Sequence, residues 1–216
     1  MRINKYVALA TGISRRKADD VIASGQVKIN GTPATTGSAV SEQDIVTIIN
    51  KRLSLPIFTT ILLNKPTGYV CSRNGQGSKT IYNLLPEKYH NLKPIGRLDK
   101  YSSGLLLLTN NGALHQKLCH PSYAKQKRYI VTLNKPLLPQ DQNNIIKGVM
   151  LEDGISKLQL QKNDKSWIVT MAEGRNRQIR RTFSALGYKV TALNRTNFGP
   201  YKLSDIPKNH MIIEIK

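Results

Sequence analysis

The sequence predicts an α+β protein in two parts: a small helix-helix-strand unit, then a larger domain with a largely antiparallel, mixed sheet. Three observations lead there. Residues 1–50 carry apolar positions at helical spacing followed by a hairpin signal. From residue 61 onward the chain changes to short β-rich runs, and helical candidates lie between them. A chain of 216 residues is long enough for one full core and a small satellite domain.

In the first part, Ile3 and Val7, with Tyr6 and Ala10, form one apolar helical face that Gly12 can end. Ser14 can N-cap a second helix bearing Ala18, Val21 and Ile22, closed by Gly25. Val27 and Ile29 alternate into Asn30-Gly31, a strong two-residue hairpin signal, and Ile45 to Ile49 supplies a further strand after a turn at Gly37. Residues 51–60 lack a clear period and read as a linker.

Residues 61–216 then form the second domain. Strands are expected at 61–63, 68–71, 105–109, 129–133, 158–160, 167–171 and 211–215, and helices at 80–85, 112–119, 139–147 and 176–186.

Charge narrows the class of partner. Thirty-three Lys and Arg stand against thirteen Asp and Glu, a net charge of +20 spread along the whole chain. A polyanion is the natural partner, bound through phosphate contacts that weaken as salt rises. No apolar run approaches the ~18 residues of a membrane span, and the first residues are too polar for a secretory signal, so a soluble cytoplasmic protein is expected. Cys71 and Cys119 form no CxxC pair, and His90, His115, His120 and His210 lack ligand spacing. Neither a metal nor another cofactor is expected.

The second helix opens Ser14-Arg15-Arg16-Lys17, placing three cations where the helix dipole favours acids. Phosphate contact explains that local cost. The whole stretch SRRKADDVIASGQVKING resembles an S4-type RNA-binding domain. The resemblance implies RNA contact from Arg15, Arg16 and Lys17, with Arg2 and Lys5 nearby and Lys28 on the following strand. Where many such sequences carry Glu this one has Lys17, which forgoes a capping box and makes the helix start more basic.

Gly96 to Gly112, GRLDKYSSGLLLLTNNG, holds one acid, Asp99, just before four leucines. If Leu105 to Leu108 are a buried strand, the preceding loop is anchored to the core and the carboxylate sits partly desolvated, a candidate for chemistry. Three further segments go with it. Leu63 to Gly68 reads as a strand and a Pro/Gly turn, and Lys127-Arg128-Tyr129 opens a basic strand. Glu173 to Arg181 is a glycine turn entering a helix, with Arg177, Arg180 and Arg181 on one side at i, i+3 and i+4. Such a cluster needs anions: RNA phosphates, Asp99, or both.

In this order the four segments resemble the catalytic domain of the RsuA/RluB/RluE/RluF family of ribosomal RNA pseudouridine synthases, in which an S4 domain usually precedes it. Carried over by position, the resemblance makes Asp99 the essential aspartate. Tyr129 would stack on the target base, and Arg180 would pair with Asp99 while Ile179 packs beside it. Arg97 and Lys127, with Arg177 and Arg181, would contact the RNA substrate. Ser102 stands where the family more often has Thr, which keeps the hydroxyl.

The implied reaction breaks the C1′–N1 bond of a uridine, turns the uracil and rejoins it through C5. The carboxylate either attacks the sugar or moves a proton from C2′, and the sequence leaves both open. Either role needs Asp99 ionised, which a neighbouring arginine favours. The implied partner is ribosomal RNA or an assembling ribosomal particle, acted on by a monomer. Large-subunit RNA is the preferred target and small-subunit RNA the alternative. A non-catalytic ribosome-assembly factor is the competing class. An S4-bearing methyltransferase would need a glycine-rich loop that Gly75-Gln76-Gly77 does not supply.

Overall fold

The structure, a computed structural model, describes residues 1–119 and 126–215. It divides into two compact units, Met1–Phe58 and Thr59–Lys216.

The first unit starts with α1 (Ile3–Thr11), which ends at Gly12 in a left-handed conformation, φ 79°. Its α2 (Arg15–Ala23) begins where Ser14 Oγ accepts the Lys17 amide at 3.1 Å, which meets one of the orphan donors of the first turn. Then β1 (Val27–Ile29) turns through Asn30 and Gly31, both at positive φ, into β2 (Thr32–Pro33). On the other side β1 pairs with β3 (Val46–Ile48), which turns into β4 (Lys51–Arg52). Ile3, Val7, Ala18, Ile22 and Val27 bury themselves in one core. Leu53 joins that core, so residues 51–53 belong to this unit instead of to a linker. The signal was hidden because β4 is only two exposed basic residues, paired through a turn at Ile49 and Asn50.

The second unit contains, in chain order, β5 (Thr60–Lys65), β6 (Lys93–Ile95), β7 (Ser103–Thr109), α3 (Gly112–Cys119), β8 (Lys127–Leu133) and α4 (Pro139–Lys147). There follow β9 (Val149–Leu151), β10 (Gly154–Ser156), β11 (Gln159–Asn163), β12 (Ser166–Met171), α5 (Gln178–Ala185), β13 (Val190–Phe198), β14 (Tyr201–Lys202) and β15 (Ile212–Ile215). Among the described residues one sheet runs β11-β12-β8-β13-β7-β5-β15, with β6 on β7 and β14 on β13. Only the β13–β7 pairing in it is parallel. β9 and β10 form a separate hairpin.

Several expected elements differ. Residues 68–71 form no strand, since only Val70 bridges to Thr80, and residues 81–84 are a 3-10 turn. The helix expected at 176–186 starts later, at Gln178. β13 was not foreseen at all, although it lies in the middle of the sheet.

Leu105 to Leu108 are fully buried, and alternate leucines face two cores: Leu106 and Leu108 one, Leu105 and Leu107 the other. This explains a continuous apolar run where a one-sided strand would alternate. One register row then crosses five strands: Val169 on β12 is opposite Tyr129 on β8, which is opposite Arg195 on β13, then Gly104 on β7 and Lys65 on β5. Residues in one row share a face of the sheet.

Two members of that row fix the loop before β7. At Gly104, φ is 101° and an added Cβ would overlap the Arg195 carbonyl and lie 2.7 Å from its amide nitrogen. Only glycine allows so close an approach of β7 and β13. Lys65 is completely buried, and its ammonium donates to the carbonyls of Pro66 (2.9 Å), Asp99 (3.2 Å) and Ser102 (2.8 Å). Three acceptors offset the cost of burying that charge.

Replacing Gly104 by Ala is expected to lower the unfolding free energy by at least ~2 kcal/mol in urea titrations. Lys65→Met, nearly equal in volume, is expected to cost about 3 kcal/mol by orphaning the three carbonyls. Its amide exchange should accelerate most over residues 97–103; a uniform acceleration across the sheet would contradict the clamp.

Candidate active site

A cavity of about 620 Å³ opens beside the loop that joins β6 to β7, and Asp99 lies on its wall. The loop is held through its backbone. Besides the Lys65 clamp, the Gly68 amide donates to the Lys100 carbonyl at 2.7 Å and the Ser102 amide to the Asp99 carbonyl at 3.0 Å. Buried Cys71 brackets Leu98: its Sγ accepts from the Leu98 amide at 3.4 Å and donates to the Leu98 carbonyl at 3.3 Å. Burial pushes the pKa of the Lys65 ammonium down and that of the Cys71 thiol up. The Asp99 side chain itself is one-third exposed to the cavity, 34%.

The arginines divide their work. Arg177 caps α5 in a left-handed conformation, φ 47°, and its Nη1 lies 3.9 Å from Asp99 Oδ2. It is 47% exposed, so that attraction is screened by water. Arg180, expected to pair with Asp99, instead donates to the carbonyls of Val190 and Tyr101, both at 2.8 Å. The reason is geometric: α5 begins only after Arg177, so the three arginines do not share the regular face that an unbroken helix would give. Burial and Arg177 push the Arg180 pKa down, and Asp99 opposes them.

Arg181 is turned away from the cavity. It makes a bidentate pair with Asp153 at 2.9 and 2.7 Å, in the turn between β9 and β10. Arg175 binds the same carboxylate at 2.9 Å and the carbonyls of Asp153, Gly154 and Ile155 at 2.8, 3.1 and 2.9 Å. Asp153 thus supplies an anion to this cluster from a hairpin 22 and 28 residues upstream of the two arginines. Gln178, buried at the start of α5, accepts from the Arg175 amide at 3.1 Å and donates to Ser156 Oγ at 3.1 Å. The turn ahead of α5 is therefore fixed from both sides.

Tyr129, 8% exposed, lines the same cavity as the acid, and Ile179, 5% exposed, adds to the apolar part of the lining. Arg97 and Lys127 also line the cavity. Lys127 Nζ donates to the Glu173 carbonyl at 3.1 Å, and burial beside Arg195 pushes its pKa down. Arg195, Phe198 and Gln178 line the cavity too, and none was expected. For Arg195 and Phe198 the signal lies in the register of β13 on β8, whereas Gln178 opens α5 within the arginine-rich segment.

In the first unit, Arg2, Lys5, Arg15, Arg16 and Lys17 are exposed and Lys28 is half-buried on β1. Arg15 reaches Asn4 on α1 at 3.3 Å and Lys17 is 3.8 Å from Asp20. These bonds orient a basic surface without neutralising it. Cys119 Sγ lies 3.8 Å from His115 Nε2; its neighbour His120 lies outside the described residues. Among the described residues, no helix is long and apolar enough to cross a membrane.

The Arg181 hydrogen bonds hold the Asp153 carboxyl below its ordinary value of 3.8. Its clamp is thus complete at neutral pH and is lost only as pH falls below ~4. Asp153→Asn should raise amide exchange over residues 173–181 by roughly tenfold at pH 7. In the unaltered protein the same loosening should appear only in acid.

Residues 59–185 match the family described as RNA pseudouridylate synthase, and residues 1–46 match the S4 domain. The dual-specificity RNA pseudouridine synthase RluF of Escherichia coli is 36% identical, over 96% of this chain and 73% of its own length. The ribosomal large subunit pseudouridine synthase B of Bacillus subtilis is 35% identical, over 91% of this chain and 85% of its own. A crystal structure of a pseudouridylate synthase superposes with a TM-score of 0.69 at 29% identity, covering 100% of this chain and 96% of that one. With an S4 domain ahead of a catalytic domain of this fold, the chain belongs to the RNA pseudouridine synthases of the RsuA/RluB/RluE/RluF family.

Proposed function

We propose that this protein isomerises a specific uridine of ribosomal RNA to pseudouridine, with large-subunit RNA as its target. The observation that carries this reading is the placement of Asp99: a carboxylate whose loop is pinned by its carbonyls, on the wall of a cavity that Tyr129, Arg97, Lys127 and Arg177 also line. The names of the relatives from Escherichia coli and Bacillus subtilis support the reaction and, for the latter, the large subunit. A net charge of +20 suits an RNA partner, and a monomer in the cytoplasm, where ribosomes assemble, fits these features.

Asp99 acts on the ribose. As the C1′–N1 bond breaks, its carboxylate either bonds to C1′ or takes the C2′ proton, and in both cases it offsets positive charge at the sugar. Because Lys65 binds the Asp99 carbonyl and leaves the carboxylate alone, the acid is oriented without being neutralised. Arg177 lies 3.9 Å from that carboxylate. Tyr129 offers a flat face to a base that has left its stack, worth about 1–3 kcal/mol. Ile179 packs beside it, while Arg97, Lys127 and Arg177 meet the phosphates that accompany the flipped nucleotide.

The first unit holds RNA through Arg15, Arg16 and Lys17, with Arg2, Lys5 and Lys28 around them. Tethering it to the catalytic unit raises the local concentration of substrate.

With purified protein and unmodified large-subunit RNA, Asp99→Asn should slow pseudouridine formation by roughly 10³-fold or more. RNA affinity should stay within a factor of about three, since a loop held through its backbone and not the carboxylate sets the shape of the cavity. Replacing Arg15, Arg16 and Lys17 together by Ala should do the reverse. Affinity should fall, and the slope of log K against log salt should flatten by about two to three units. An unchanged slope would remove phosphate contact from that helix.

A further inference from the structure

Arg195 has no part in the chemistry above, yet its surroundings ask for a negative charge that the described protein does not supply. Its side chain is 2% exposed. Nε donates to the Leu105 carbonyl at 2.8 Å, but Nη2 is buried without any partner. No ion pair among the described residues involves it. The guanidinium lies 5.0 Å above the Phe198 ring, and a second cation, Lys127, lies 5.8 Å from the same ring. With the half-buried Lys127 so near the buried Arg195, an anion between the two cations and the cavity relieves both.

The register says where that anion forms. Arg195 is directly opposite Tyr129 across the β8–β13 pair, so their side chains stand next to each other on one face. Both line the cavity that holds Asp99. A base lying on Tyr129 with its ribose at Asp99 therefore presents its edge to Arg195. A phosphate, tied to two riboses, reaches the rim more readily than so deep a floor.

We infer that Arg195 is a catalytic residue that takes up the negative charge of the departing uracil. When the C1′–N1 bond breaks, its electron pair leaves with the base and spreads over N1 and the carbonyl oxygens O2 and O4. Arg195 Nη2 donates to one of those oxygens. When C5 bonds to C1′ the pair is returned, Asp99 gives up its bond to C1′ or returns the C2′ proton, the C5 proton leaves and N1 gains one, so composition is unchanged. The substrate base is neutral and the detached one is not, so the interaction strengthens only after cleavage begins.

This inference rests on the proposed reaction, and leaving-group chemistry separates the two. Single-turnover loss of the starting nucleoside is measured in RNA carrying uridine or 5-fluorouridine at the target, for the unaltered protein, Arg195→Met and Arg195→Lys. Fluorine already stabilises the departing anion. Arg195→Met should slow the uridine substrate about 10²- to 10³-fold and the fluorinated one at least ~10-fold less. Arg195→Lys should recover part of the loss on uridine. The ratio of rates is taken within one protein, so a reduced folded fraction cancels. Equal slowing of both substrates would overturn the inference in favour of a structural arginine, and a change confined to RNA affinity would overturn it in favour of a phosphate contact. Should the unaltered protein convert no uridine at all, the proposed function fails together with it.

Discussion

A buried lysine ammonium that binds carbonyls in place of carboxylates is the interaction on which the catalytic unit is arranged. Lys65 sits at the end of β5, where the sheet delivers it beneath the loop before β7, and it ties together Pro66, Asp99 and Ser102. Had it paired with the Asp99 carboxylate, the acid would be fixed but electrostatically spent. Binding its carbonyl keeps the geometry and leaves the charge for the substrate, which is how a preorganised site differs from a merely stable one. The neighbouring strand contact depends on the same row, since Gly104 lets β13 run close enough to put Arg195 between the acid's loop and Tyr129.

The arginine-rich segment shows a similar separation of duties. Arg175 and Arg181 share Asp153 and the turn carbonyls around it, so they hold shape and offer little charge to a ligand. Arg180 ties α5 to the carbonyls of Val190 and Tyr101. Arg177, displaced by its left-handed backbone, is the member left beside Asp99. Four cations close in sequence are thus distributed over a hairpin, two loops and an acid, and mutual repulsion within the segment is offset one residue at a time.

Much of this was legible from sequence because it is local. The Gly12 stop, the Ser14 cap and the Asn30-Gly31 turn each depend on a few adjacent residues, and the four leucines declare a buried strand. The acid was legible for the same reason, sitting in a compact motif before that strand. What escaped depends on partners far along the chain. β13, VTALNRTNF, interleaves Asn, Arg and Thr with its apolar positions and so resembles a loop, although Arg195 is polar because it faces the cavity. Lys65 looked like part of a plain turn, since only its register with Gly104 makes it a clamp. The Arg180–Asp99 pair was expected from the family resemblance; with Arg177 at positive φ ahead of α5, it is Arg177 that lies beside the acid.

The two units solve different physical problems. Exposed cations on a small helical unit give affinity that salt can tune, whereas the larger unit buries Lys65 and Arg195 and fixes their direction. The central claim is that Asp99, so held, carries out isomerisation in ribosomal RNA. The most direct test is a pseudouridine map of ribosomal RNA from cells with the native gene, without it, and with Asp99→Asn. Loss of the same large-subunit pseudouridine is expected in both altered strains. Retention of that modification in the Asp99→Asn strain, or no change in either strain, would contradict it.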